Sequence, residues 1–120
     1  MNTKKITLPN GLRLLVTEMP SLQSVTVTVW VRVGSRYETP EIAGISHFLE
    51  HMVFKGGKKY TSAKAVSEAV DALGGEFNAG TSKEWTNFYI KARAGSMAKA
   101  VDILSDMTTS PKLAPDDIER

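Results

Sequence analysis

Hydrophobic and polar residues alternate along the first 33 positions in the manner of β-strands. Two short runs of this kind, residues 5–8 and 12–18, flank Pro9-Asn10-Gly11. Because Asn-Gly adopts left-handed turn conformations at little cost, this pattern predicts a β-hairpin. Valine then occupies every second position from Val25 to Val33, with Trp30 among the residues between. This period of two predicts a central strand, with its valine face in the core and Trp30 packed against a helix.

Three later segments, residues 44–54, 62–73 and 96–107, have apolar residues at helical spacing. The second has Thr61 or Ser62 as a possible N-cap and ends at Gly74-Gly75. The residues expected to face the core are Leu49, Met52 and Val53 in the first segment, Ala65, Val66, Ala69, Val70 and Leu73 in the second, and Met97, Val101, Leu104 and Met107 in the third.

Two more strand patterns, residues 76–80 and 85–93, lie between the second and third helices. Strands and helices therefore do not alternate as strict βαβ units, which favours an α+β fold with a mainly antiparallel sheet and helices packed on one face. With 120 residues, 42% hydrophobic and 23% charged, one modest globular core is expected. The last six residues begin like a helix, with Pro115 early and acidic residues after it, and no stop follows.

Composition excludes several classes of function. The net charge is +2 and no run of lysine or arginine exceeds two residues, so no nucleic-acid partner is expected. The absence of cysteine excludes disulfides and thiolate ligands, so a metal would be held by nitrogen and oxygen. Neither a secretory apolar region nor an apolar span of about 20 residues is present, which predicts no membrane partner and a cytoplasmic location.

The chain's two histidines, His47 and His51, are four residues apart, and Glu50 precedes the second. On a helix with His47 at zero, His51 lies at about +40° and Glu50 at about −60°, so the three share one face. Two imidazoles can bind one zinc ion, and a carboxylate beside it can accept a proton from water. The order is H-x-x-E-H. The motif alone leaves open that these residues merely line a helix face.

The surrounding segment, Ala43 to Gly56, closely resembles the pitrilysin family of zinc peptidases, which includes mitochondrial processing peptidases and insulin-degrading enzyme. Asp71 to Tyr89 is similar to the family's strand pair beside the active site, and Leu8 to Arg13 to its first hairpin. The resemblance covers nearly the whole chain. It implies the α+β layout already expected, a Zn²⁺ cofactor, and peptides or unfolded polypeptides as substrates.

The resemblance also assigns roles to residues. It implies that His47 and His51 bind Zn²⁺ and that Glu50 is the general base. Asn78 and Ala79 match family positions on an edge strand, where a substrate docks in extended form through main-chain hydrogen bonds. For Asn78, an ordinary place in a turn or at a strand end stays open.

Two further positions are candidates at the site. Phe54 lies at about −20° on the metal side of the first helix and is a candidate substrate contact. A zinc-bound histidine usually donates its other ring N–H to a carboxylate or carbonyl, and Glu84 could accept it from a neighbouring strand. A solvated carboxylate is equally consistent for Glu84, and Glu76 could play the same part.

The family's third zinc ligand, a glutamate, would lie beyond Arg120. We therefore expect residues 1–120 to be one N-terminal, zinc-bearing peptidase domain that is truncated at its C-terminus, inactive alone and weak in zinc binding. The resemblance implies a second homologous domain or subunit that completes an enclosed chamber.

Two other functions share parts of this pattern. S-ribosylhomocysteine lyases have the same H-x-x-E-H order, but by family pattern they use a further histidine and a cysteine, and this chain has neither. A non-catalytic scaffold or interaction subunit is the stronger alternative, since two histidines alone bind zinc weakly. For the complete protein, the intact His47, Glu50 and His51 argue against it and favour a zinc-dependent endopeptidase; for residues 1–120 alone the alternative stays open.

Overall fold

The computed structural model describes residues 2–118 as an α+β fold with two antiparallel sheets, as expected. Short 3₁₀ turns lie at Ser35–Tyr37, Pro40–Ile42 and Ala94–Ser96. The predicted helix start at Pro115 is α4, while Glu119 and Arg120 lie outside the described residues. The elements are β1 (Asn2–Thr7), β2 (Arg13–Glu18), β3 (Ser24–Val31), α1 (Ile45–Val53), α2 (Ala63–Ala72), β4 (Glu76–Thr81), β5 (Thr86–Arg93), α3 (Met97–Thr109) and α4 (Pro115–Ile118).

Strands β1 and β2 form the predicted hairpin, with a register from Asn2↔Glu18 to Thr7↔Arg13. Gly11 has a φ of 89°, the left-handed conformation that the turn requires. The Asn10 side chain accepts the Leu12 N–H at 3.0 Å, which closes the turn. All residues of both strands are exposed, so the hairpin forms a separate sheet outside the core.

The second sheet has the strand order β3-β5-β4. The prediction that the valine-rich strand is central is therefore wrong: β3 is an edge strand, and β5 pairs on both sides. Alternation identifies the buried face of a strand but not its number of neighbours. Val27 and Val29 do pack against the core, as their spacing predicts. The buried residues of β5 are Thr86, Phe88, Ile90 and Ala92.

Trp30 lies on the sheet face opposite the core and is 60% exposed. The expected packing of Trp30 against a helix is not formed, because the helices pack on the other face of the sheet, against Val27 and Val29. Instead Trp30 meets Trp85 edge to face, with ring centroids 4.8 Å apart.

Helix α3 supplies most of the helical side of the core. The expected core positions Leu104 and Met107 are buried, but Met97 and Val101 are 52% and 47% exposed. Viewed down the helix axis, the centre of the buried stripe lies between the directions of Ala100 and Met107. Val101 points about 110° away from that direction. The buried residues of α3 are Ala100, Ile103, Leu104 and Met107.

Helix α2 begins and packs as its sequence predicts. Ser62 is the N-cap, and its Oγ accepts the Ala65 N–H at 3.0 Å. Val66 and Val70 are buried against the same core as α3. Within residues 2–118, no helix combines the length and apolar content that a bilayer span requires.

Two carboxylates of α3 hold the loop between α1 and α2. Asp106 accepts the backbone N–H groups of Lys59 and Tyr60, each at 3.0 Å. Asp102 accepts the Lys59 ammonium and the Tyr60 hydroxyl, each at 2.8 Å. The hydrogen bond from Lys59, followed by that from Tyr60, lowers the pKa of the Asp102 carboxyl below its ordinary value.

Candidate metal centre

Helix α1 presents His47, Glu50 and His51 on one face, as their spacing predicts. The two imidazole rings are perpendicular, at 81°, and their Nε2 atoms are 3.1 Å apart. The potential ligand atoms of all three residues lie within 4.8 Å of one another. Both histidines are exposed and Glu50 is half-buried. In the described range this is the one group of three or more such side chains close enough to hold a metal ion.

The spacing of the two imidazoles fits a zinc ion. A tetrahedral ion with Zn–N bonds of roughly 2.0–2.1 Å holds two nitrogens about 3.3 Å apart. The observed 3.1 Å differs from that by a few tenths of an ångström. The donor set of imidazole nitrogen and carboxylate oxygen is also one that zinc accepts. The Zn²⁺ cofactor expected from the sequence therefore fits this site.

The first turn of α1 is held by Glu38, which the sequence did not single out. Gly44 precedes the helix with a φ of 89° and supplies no side-chain cap. The two Glu38 carboxylate oxygens instead accept the N–H groups of Gly44 at 2.8 Å and Ser46 at 2.9 Å. The Gly44 N–H, followed by the Ser46 hydroxyl and N–H, lowers the pKa of Glu38. A carboxylate here also complements the helix dipole.

The apolar residues of α1 that enter the core lie in its last turn, and the first turn buries the polar residue Ser46. Met52 and Val53 are 2% and 8% exposed, as their side of the helix predicts. Leu49 is 43% exposed, so its predicted burial is wrong. Among the residues of α1, the core cluster includes Val53, one turn after Leu49.

Glu50 is hydrogen-bonded to Thr81, the last residue of β4. The Thr81 hydroxyl donates to Glu50 Oε2, across 31 positions in sequence. In the sheet, Thr81 pairs with Thr86, Ala79 with Phe88 and Phe77 with Ile90, so all three β4 residues lie on the helix side. Strand alternation could have placed Thr81 on this side, but nothing in the sequence indicated Glu50 as its partner.

Glu84 lies in the turn after β4, where its carboxylate pairs with Arg36. Because it faces this guanidinium at the surface, the expected hydrogen bond from a metal-binding histidine to Glu84 is not formed among the described residues. Glu76 begins β4 and pairs with Lys91, on the sheet face opposite Thr81 and about 16 Å along the strand from it. Glu76 is therefore not placed to take that role either.

Asn78 and Ala79 lie within β4, an edge strand. Asn78 is the third of six residues, so it occupies neither a turn nor a strand end. The Ser82 N–H donates to Trp85 across the hairpin, and alternation then directs the Ala79 N–H to the open edge. Asn78 Oδ1 accepts this N–H at 2.8 Å. Substrate binding at these two residues stays a prediction.

Phe54 directly follows α1 as its C-cap and packs edge to face on Phe77, with ring centroids 4.6 Å apart. Both line a groove of about 490 Å³ between α2 and the start of β4. A second cleft, of about 410 Å³, is lined by His47, Thr81 and residues of the neighbouring loops. The role of Phe54 in substrate binding stays a prediction.

Comparison with known proteins identifies the family. The profile of the family described as Insulinase (Peptidase family M16) matches residues 13–120. The uncharacterised zinc protease YmxG of Bacillus subtilis is 48% identical over 87% of this chain and 25% of its own length. The uncharacterised zinc protease SCO5738 of Streptomyces coelicolor is 42% identical over 97% of this chain and 25% of its own length. A probable mitochondrial-processing peptidase subunit beta of Arabidopsis thaliana is 41% identical over 98% of this chain and 22% of its own length.

A solved structure has the same fold. The crystal structure of a protease from Helicobacter pylori matches with a TM-score of 0.91 and 30% identity, over 97% of this chain and 28% of that one. The chain thus spans about a quarter of the length of the proteins that it matches. With the family profile covering nearly all of the sequence and an H-x-x-E-H group assembled on α1, this chain belongs to the insulinase family of peptidases, M16.

Proposed function

We propose that this chain carries the zinc site of a metalloendopeptidase that hydrolyses peptide bonds in peptides or unfolded polypeptide segments. The supporting observation is the shared face of α1, where the Nε2 atoms of His47 and His51 lie 3.1 Å apart with Glu50 beside them. Relatives named zinc proteases support the same proposal. Since the chain spans about a quarter of their length, we propose it as the N-terminal, zinc-bearing part of such a peptidase.

In this proposal His47 and His51 hold Zn²⁺ through their Nε2 atoms. Glu50 is the general base, and it accepts the proton of the water that attacks the scissile carbonyl. When bound, the ion polarises that carbonyl and makes water more acidic. The open edge of β4 at Asn78 and Ala79 holds the peptide in extended form through main-chain hydrogen bonds, with the peptide replacing Asn78 Oδ1 as the acceptor of the Ala79 N–H.

A catalytic zinc site usually has three protein ligands and an open position. By resemblance to the family, we propose that a glutamate beyond Arg120 is the third ligand and that a second homologous domain or subunit closes a chamber. Residues 1–120 alone are expected to be inactive and to bind zinc much more weakly than the complete protein. The cytoplasmic location also stays a prediction.

The test is Glu50→Gln in the full-length protein. The amide keeps the shape of the side chain and its oxygen still accepts from Thr81, but it cannot act as a base. We expect zinc content to be retained and hydrolysis of a quenched fluorescent peptide to fall by about 10²- to 10⁴-fold. Glu68→Gln, the same change on the surface of α2, is the matched control and should leave turnover unchanged.

Near-normal turnover of Glu50→Gln would refute the assignment of the base. A wild-type full-length protein that binds zinc but cleaves no peptide would favour the non-catalytic scaffold instead. Residues 1–120 are assayed in parallel, with excess zinc. Chelator-sensitive hydrolysis by that piece alone would contradict the need for a third ligand beyond Arg120.

A further inference from the structure

The contact between Thr81 and Glu50 joins the metal-binding helix to the sheet edge. Glu50 and Thr81 are both half-buried, so the contact lies between surface and core. The Thr81 hydroxyl donates to one carboxylate oxygen, Glu50 Oε2. An ionised carboxylate only accepts hydrogen bonds, and a threonine hydroxyl has one hydrogen to give. This contact therefore engages Oε2 and leaves Oε1 as the second acceptor.

Thr81 is well suited to hold its partner in one orientation. Its β-branched side chain has few allowed χ1 rotamers. It pairs across the sheet with Thr86, which is buried and whose hydroxyl donates to the Val33 carbonyl at 3.0 Å. Glutamate, in contrast, has a long side chain that loses considerable rotamer freedom when it is ordered. The hydroxyl is thus the fixed partner, and the carboxylate is the group that it orders.

The loop opposite Thr81 is also fixed in place. The Ser35 and Arg36 N–H groups donate to the carbonyls of Ser82 and Lys83 at 3.3 and 2.8 Å. A Cβ added at Gly34 would lie 2.4 Å from the Ser82 carbonyl oxygen, so this approach requires glycine. Thr81 and His47 both line the cleft beside this loop. Thr81, the donor to Glu50, therefore lines the same cleft as the proposed zinc ligand His47.

We propose that Thr81 is a positioning residue, whose hydroxyl orients the Glu50 carboxylate so that one oxygen faces the attacking water. This inference rests on the proposed function, because it concerns the residue proposed there as the base. Thr81 acts through Glu50 and touches neither substrate nor metal in this role. Misplacing a catalytic group by about an ångström can cost about 100-fold in rate, so a single oriented hydrogen bond can matter at this position.

The test compares Thr81→Val and Thr81→Ser in the full-length protein. Valine keeps the branched shape without the hydroxyl, whereas serine keeps the hydroxyl. We expect Thr81→Val to lower kcat by about 10- to 100-fold with KM, zinc content and melting temperature unchanged, and Thr81→Ser to restore kcat to within about threefold of wild type. Thr26→Val, the same change on β3 and on the sheet face opposite Thr81, is the matched control and should leave kcat unchanged.

A second measurement uses the zinc-free protein and does not depend on activity. In full-length protein with ¹³C-labelled glutamate carboxyls, the Glu50 resonance at fixed pH should shift in Thr81→Val and remain near its wild-type position in Thr81→Ser. In a double-mutant cycle, Thr81→Val should cost little further activity once Glu50 is glutamine.

Three results would overturn the proposal. The first is a kcat for Thr81→Val within about twofold of wild type while Glu50→Gln is inactive. The second is equal loss of melting temperature or zinc in the valine and serine variants, which would indicate a structural role. The third is an unchanged Glu50 resonance in Thr81→Val. Normal turnover of Glu50→Gln would instead refute the proposed base, so the two failures are distinguishable.

Discussion

Helices α1 and α3 are attached to the molecule by different kinds of contact. Helix α3 packs a continuous apolar stripe into the core, and four of its residues are at most 1% exposed. Helix α1, which carries the histidines, buries little beyond its last turn and leaves three large apolar residues 38–43% exposed. Those three are Ile45, Phe48 and Leu49.

The orientation of α1 depends on directional polar contacts instead. Glu38 holds its first turn, and Thr81 contacts Glu50 on the candidate metal-binding face. Apolar burial scales with area and is not directional, whereas a hydrogen bond requires defined angles. We therefore expect the stability of this fold and the geometry of its candidate metal site to depend largely on different residues.

The largest loss of stability is expected from Ile103→Ala on α3. Ile103 is fully buried, so its truncation should leave a cavity and lower the free energy of unfolding by about 2–5 kcal/mol. Urea denaturation followed by circular dichroism measures this loss. Val101→Ala, at a 47% exposed position on the same helix, is the control and should cost less than about 1 kcal/mol. Equal losses would mean that α3 is not held by its buried stripe.

A smaller and local effect is expected from Glu38→Gln. The amide has one acceptor oxygen in place of two, so either the Gly44 or the Ser46 N–H loses its partner. Hydrogen exchange at these amides should become about three- to tenfold faster, while exchange in α3 is unchanged. Glu41→Gln in the next turn is the matched control. Unaltered exchange at the start of α1 would show that Glu38 does not hold the helix.

A pH-dependent effect is expected where α3 meets the loop after α1. The folded pKa of Asp102 lies below its ordinary value of about 3.9, so its stabilising contribution is present above about pH 4 and is lost as the pH falls through the folded pKa. Wild type should therefore melt higher than Asp102→Asn at neutral pH, and the difference should shrink below about pH 4. Thermal melts between pH 7 and pH 2 measure it.

Tyr60→Phe provides a graded control for this pH effect. It removes the second donor to Asp102 and leaves Lys59 in place. In the Tyr60→Phe background, the loss of melting temperature that Asp102→Asn causes at neutral pH should therefore be smaller than in wild type but still present. A melting difference between wild type and Asp102→Asn that stays constant down to pH 2 would contradict the lowered pKa of Asp102.

The smallest effect on the fold is expected from His51→Ala. His51 is exposed, so the metal-free variant should unfold within about 0.5 kcal/mol of wild type. The zinc content of the full-length protein should nevertheless fall, because a proposed ligand is lost. Elemental analysis and urea denaturation in chelator measure the two outcomes, and His47→Ala should behave alike. Stoichiometric zinc in either variant would move the site elsewhere.

Features that depend on neighbouring residues could be predicted from the sequence. The turn at Asn10-Gly11, the Ser62 cap of α2 and the shared face of the three residues of the H-x-x-E-H motif all follow from local geometry. Each requires knowledge of only a few consecutive positions. The family resemblance rested on the same kind of local pattern, and the comparisons confirm it.

Features that depend on which distant segments meet could not be predicted. The alternation of β3 identified its core face but not its place at the sheet edge. On α3, the helical spacing was compatible with a buried stripe that includes Val101, but Val101 is exposed in the fold because the helix packs on a different side. The contact of Glu50 with Thr81 and that of Arg36 with Glu84 join residues 31 and 48 positions apart. No periodicity in the sequence encodes such pairs.

The open edge of β4 has a consequence for self-association. An exposed edge strand is a template on which a second copy of the chain can add as a further strand, the first step of aggregation. Asn78 Oδ1 already accepts the Ala79 N–H that such a copy would need. The Asn78 side chain therefore protects the edge from pairing with a second copy. Asn78→Ala should remove this protection and make the purified protein precipitate at lower concentration than wild type.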